Sequence, residues 1–309
     1  MAWKFERVAG PFDGPTGGIV WDGKSILFAA VLESRLLRYN PCSGSIDALR
    51  RFTNRTNGLA LTPDGHLYGC QEGSRRVIEM KADGSAVALG ATLDGHRINF
   101  PSDLTIDRAG RIWFTDPYHH LASHGPQIFP NLPHASVLRL DRHRVTHDWI
   151  VERLTFDTAA PRCLALSADE CTLYVGEGDA ASEGPRQLRA YPVDETGRLG
   201  SPLLLHNFGH DHRGPQRGAE GLCLDADGNI IVCAGSNQTG PGSLIYIISP
   251  TGRILETQAF PDDCPQRCAF GGEGLDELYV TSATGNLWRA RQTGRIGLRR
   301  VLSRAGPSE

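Results

Sequence analysis

The chain has 309 residues, 40% hydrophobic and 22% charged, with a formal net charge of −3. That length can bury a sizeable core, and the near-neutral balance offers no basic face for nucleic acid or an anionic membrane surface. No apolar run approaches the ~20 residues of a membrane-spanning helix, so the expected partner is a small molecule; nothing in the sequence specifies an oligomeric state.

Taken in order, the chain repeats one unit. Residues 57–68, Asn-Gly-Leu-Ala-Leu-Thr-Pro-Asp-Gly-His-Leu-Tyr, read as a strand, a tight Asp-Gly turn and a second strand. Glycine accepts the positive φ that such a turn needs. The same pattern occurs at 18–28, 103–114, 163–175 (where the turn glycine is lost), 221–232 and 267–280. A further strand follows each copy, at 35–39, 76–80, 136–140, 187–191, 244–248 and 286–290, and several run into another D/T-G turn. Copies spaced about 40–60 residues apart, each giving four strands, predict the blades of a propeller. Helical periodicity is almost absent. The chain therefore reads as one domain, 1–309, all-β: a six-bladed β-propeller with four antiparallel strands per blade.

The geometry of such a fold makes the residue just before each hairpin part of a ring around one channel mouth. That ring is Gly17, Asn57, Ser102, Arg162, Glu220 and Gln266. The 116–134 loop should return to the same face, and its length predicts a lid. Tyr118, His119 and His120 on it are candidate substrate contacts, with Asn57, Ser102 and Gln266 in the ring. Water-bridged filler of the axis is the other reading of these polar ring residues.

Several stretches resemble the SMP-30/gluconolactonase/LRE-like family: residues 16–22, 99–107, 110–118, 166–169, 173–175, 220–229 and 269–272 with 278–283. The resemblance implies a six-bladed propeller, a lactonase-like hydrolase, and a divalent cation, calcium or zinc, at the channel mouth. The family's ligands come from E-G-P-x-W, P-N-D, N-G-L and D-G motifs. Carried onto this chain they fall on Gly17, Ser102, Arg162 and Glu220, and only the last is a conservative exchange. A guanidinium is permanently cationic and donates only, so Arg162 is expected to take the place of the cation in a metal-independent site.

Glu220 is then the candidate general base, and Arg162 the group that stabilises an oxyanion or holds an anionic substrate group. A structural Glu220–Arg162 ion pair is the alternative. Asp103 is a third catalytic candidate, with a scaffold role as its other reading. A metal-free lyase, isomerase or cyclase, or a non-catalytic binding propeller, would be compatible with the same altered ring.

The eight cysteines form no CxxC pair, and the N-terminus lacks the apolar core of a secretory signal. Reduced thiols in a cytoplasmic protein are the expectation. Cys70, Cys223 and Cys233 read as small core residues. Cys163 beside Arg162 could be an activated thiolate but reads better as packing. His210 and His212 read as solvated loop residues.

Overall fold

The computed structural model describes residues 2–118, 129–178 and 184–299. Among them there is no helix, and so none long and apolar enough to cross a membrane. Six four-stranded antiparallel sheets follow one another along the chain. The innermost strands are Thr16–Trp21, Thr56–Leu61, Leu104–Ile106, Pro161–Leu166, Ala219–Leu224 and Pro265–Gly271, and they pack side by side in a closed ring. The six-bladed propeller expected from the repeats is the observed architecture. Two short hairpins, Thr92–Leu93 with His96–Arg97 and His210–Asp211 with Gly214–Pro215, are additions to it.

Side-chain alternation explains why six sheets make one body. In a strand, successive side chains point to opposite faces. Along Ile26–Ala30 and into Val31, the odd-numbered Leu27, Ala29 and Val31 pack against blade 2, while Ile26, Phe28 and Ala30 pack against blade 6. Both faces of a second strand are thus buried, and its sequence runs continuously apolar instead of alternating with polar residues. The same arrangement gives six apolar clusters, one at each blade junction.

The turns follow the Asp-Gly reading. Gly65 and Gly228 hold φ of 92° and 80°. In the fourth copy Glu170 adopts φ 61° in place of glycine, and its carboxylate accepts the Arg108 amide at 3.0 and 3.1 Å. Ring closure was not visible in the repeat pattern. Blade 6 takes its outermost strand from the other end of the chain: Lys4–Ala9 pairs with Leu287–Arg291, Lys4 opposite Arg291.

Candidate functional site

All six ring residues stand at or beside the starts of the innermost strands, as the hairpin spacing requires. Asn57 donates from Nδ2 to Glu72 Oε1 at 2.6 Å, and Arg55 lies 3.5 Å from the other oxygen of that carboxylate. A Cβ built on Gly17 would meet Asn57 Oδ1 at 2.3 Å. The Asn57 side chain therefore fills the space where a longer residue at 17 would begin.

Glu220 is buried, and its Oε1 accepts Arg217 Nε at 2.6 Å. The alternative reading from sequence paired Glu220 with Arg162; the guanidinium found on the carboxylate is that of Arg217, three residues earlier. Arg162 Nε donates to the Gly178 carbonyl at 3.1 Å. Gln266 Nε2 reaches Cys264 Sγ at 3.1 Å. Tyr118 donates its hydroxyl to the Leu132 carbonyl at 3.0 Å, which ties the start of the long loop to its return. His119 and His120, and most of the expected lid, lie outside the described residues.

Immediately beneath the mouth lies a residue that the sequence reading passed over. Arg267 is 5% exposed and its guanidinium gathers four ring members, the adjacent Gln266 through its carbonyl at 3.2 Å and three from other blades. One terminal nitrogen donates to the Glu220 carbonyl. The other donates to Ser102 Oγ at 2.9 Å and to the Arg162 carbonyl at 3.3 Å. Asp103 Oδ1 is 3.8 Å from Arg267 Nε. Both Asp103 oxygens also accept backbone amides, from Leu104 at 3.1 Å and Leu164 at 3.3 Å. Burial pushes the Asp103 carboxyl up, with Arg267 opposing. These contacts hold Asp103 between Arg267 and two backbone amides.

Room for Arg267 comes from glycine. At the equivalent position of three other copies stand Gly18, Gly58 and Gly221. A Cβ on any of them would approach a neighbouring strand's carbonyl to 2.1–2.6 Å, and on Gly221 it would also sit 3.1 Å from Arg267 Cδ. Three glycines and one arginine at a single level were the available signal in the sequence. For Glu72 and Arg217 the spacing held no comparable clue, because neither belongs to the hairpin register.

Cys163 is fully buried, and burial pushes its thiol well above the ordinary range, which suits the packing role. Cys70 and Cys233 are core residues as expected, whereas Cys223 is only partly buried. His210 and His212 are exposed.

The four positions aligned with metal ligands do not form a ligand set for a divalent cation. Position 17 has no side chain, Ser102 Oγ is bound by Arg267, position 162 is a cation, and the Glu220 carboxylate is held by Arg217. Arg267 adds a second fixed charge directly below. Unit like charges 4 Å apart repel by about 4 kcal/mol at an effective dielectric near 20. Among the described residues no group of three or more His, Cys, Asp or Glu is placed to hold a metal.

Comparison with known proteins agrees with the fold. The chain is 30% identical over 242 residues to a gluconolactonase of Zymomonas mobilis, covering 76% of this chain and 63% of that protein's length. It is 27% identical over 282 residues to a 6-deoxy-6-sulfogluconolactonase of Pseudomonas putida, covering 86% and 82%. A solved gluconolactonase from Xanthomonas campestris superposes with a TM-score of 0.76 at 26% identity, covering 94% of this chain and 89% of that one. The match to the family's characteristic region runs from residue 15 to residue 284, and the chain belongs to the SMP-30/Gluconolactonase/LRE-like family.

Proposed function

We propose that this chain is a lactonase-type hydrolase that opens a cyclic ester of a small, sugar-derived acid, and that it works without a metal. What supports the reading is that Glu220, its carboxylate held by Arg217, and Arg162 begin neighbouring innermost strands, tied together by Arg267 through the Ser102 hydroxyl and the backbone carbonyls of Glu220 and Arg162. The named relatives act on gluconolactones, and the altered donor set supplies the metal-free part.

In this mechanism Arg217 fixes the Glu220 carboxylate on one oxygen, leaving the other to take a proton from water. The water oxygen attacks the lactone carbonyl, and negative charge develops on the carbonyl oxygen. Arg162 supplies a preorganised cation for that oxyanion, the kind of interaction worth several kcal/mol in a transition state. Collapse of the tetrahedral species breaks the ring C–O bond, and protonated Glu220 returns its proton to the leaving alkoxide. Asn57, oriented by Glu72, and Gln266 offer hydrogen bonds for substrate hydroxyls, with Tyr118 at the edge of the mouth.

The test is a panel of aldonolactones assayed with wild type and Glu220→Gln. Hydrolysis by wild type, with a 10²–10⁴-fold lower kcat/KM in the variant (the usual range for loss of a general base), is expected. Undiminished turnover by the variant would remove Glu220 from the mechanism. No turnover of any lactone by folded wild type would remove the assignment.

A further inference from the structure

Behind Arg267 the channel opens again toward the opposite face. A cavity of about 500 Å³ runs from exposed turn residues Gly23, Pro63 and Gly65 down to Asp103 and Arg267. Its walls are mainly the apolar inner-strand residues, such as Leu59, Leu104 and Leu222, but they include two thiols. Cys223 comes from the innermost strand of blade 5 and Cys268 from that of blade 6, and their sulfurs are 3.4 Å apart. Nothing in the proposed hydrolysis uses this cavity or these thiols.

We propose that Cys223 and Cys268 form an oxidisable pair, reached through the far channel by hydrogen peroxide and closed by it into a disulfide between adjacent blades. A disulfide needs the sulfurs at about 2.05 Å, so the pair, at 3.4 Å, must close by about 1.4 Å. Buried thiols are usually inert for want of access; these two line an open cavity. Hydrogen bonds with the Cys223 and Cys233 thiols, together with the charge of neighbouring Arg267, favour the thiolate at Cys268, while Cys223 is pushed up. Cys268, next to Arg267 on the cavity wall, is assigned as the nucleophile and Cys223 as the resolving thiol.

The steps balance. The Cys268 thiolate attacks one peroxide oxygen; an S–O bond forms, the O–O bond breaks, and the leaving hydroxide takes up a proton as water. Cys268 is then a sulfenic acid, oxidised by two electrons. The Cys223 sulfur displaces its hydroxyl, which leaves as a second water with the Cys223 proton, and the S–S bond forms.

Wild type is treated with hydrogen peroxide at a small excess, then mapped by non-reducing peptide mass spectrometry and by thiol titration after denaturation. The expected result is a crosslinked Cys223–Cys268 peptide pair, an intact mass about 2 Da lower, and six titratable thiols in place of eight. In Cys223→Ser, Cys268 should instead be trapped by dimedone as a sulfenic acid. Finding Cys223 and Cys268 still as thiols while exposed Cys42 and Cys171 oxidise would overturn the proposal, as would absence of the dimedone adduct on folded Cys223→Ser. Each readout is chemical, so the result is independent of whether the chain hydrolyses lactones.

Discussion

A single guanidinium beneath the mouth sets the electrostatics of the whole ring. Arg267 is removed from water together with Asp103, and taking one partner from a buried ion pair leaves the other uncompensated. Arg267→Met should destabilise the protein by about 3–5 kcal/mol, read by urea unfolding, and Arg267→Met with Asp103→Asn should recover part of that loss. Equal stability of the single and double variants would mean that the pair is not coupled. Arg162 should behave differently, because it stands at the rim. Arg162→Gln is expected to lower kcat by about 10²–10³-fold with little change in unfolding free energy; a change in KM alone would show that it binds substrate rather than stabilising the oxyanion.

Asp116, at the end of the second strand of blade 3, supplies a pH dependence. Burial raises its carboxyl from 3.8 to about 7, against the Asn99 amide and the charges of Arg75 and Arg153. The folded state therefore holds this proton more tightly than the unfolded chain. That contribution to stability is complete below pH 3.8 and is lost as pH rises toward 7. Unfolding free energies measured from pH 4 to 7.5 should fall less steeply with pH in Asp116→Asn than in wild type. Parallel curves would contradict the assignment.

At the scale of elements, the hairpins were legible because Asp-Gly turns, apolar runs and a steady spacing all come from local chemistry. Even the copy without its glycine could be placed, since Glu170 takes the same left-handed φ. Two features resisted reading for different reasons. The last blade is completed by Lys4–Ala9, a pairing across almost the full chain that no local pattern records. Arg267 occupies an ordinary strand position; Gly18, Gly58 and Gly221 at the equivalent positions were its one signal in the sequence, and their close contacts with neighbouring strands give that signal its meaning. The ring positions themselves were legible, but their partners were not: Arg217 lies three residues from Glu220 in sequence, and nothing in the sequence favoured it over Arg162.

The closing strand has its own test. Trp3 is buried among Phe260, Phe5 and the junction of blades 5 and 6, and its amide donates to Gln258 at 2.8 Å. Trp3→Ala should cost about 3 kcal/mol. Removing residues 1–10 should cost more and promote association, because it bares the edge of Leu287–Arg291. Thermal unfolding and light scattering would show both; a truncated protein as stable and monodisperse as wild type would contradict the closure.

At the scale of the molecule, six junction cores hold the blades in one ring, and Arg267 with Asp103 separates two chambers along its axis. The mouth above carries Glu220, Arg162 and Asn57; the cavity below is apolar with a thiol pair. A cation-bearing mouth is proposed to hydrolyse lactones where family members place a divalent metal. The most direct measurement is the initial rate of aldonolactone hydrolysis by wild-type protein before and after exhaustive treatment with excess chelator. The rate should be unchanged, and added calcium or zinc should not raise it. A rate that is lost on chelation and restored by either metal would rule out the metal-independent mouth.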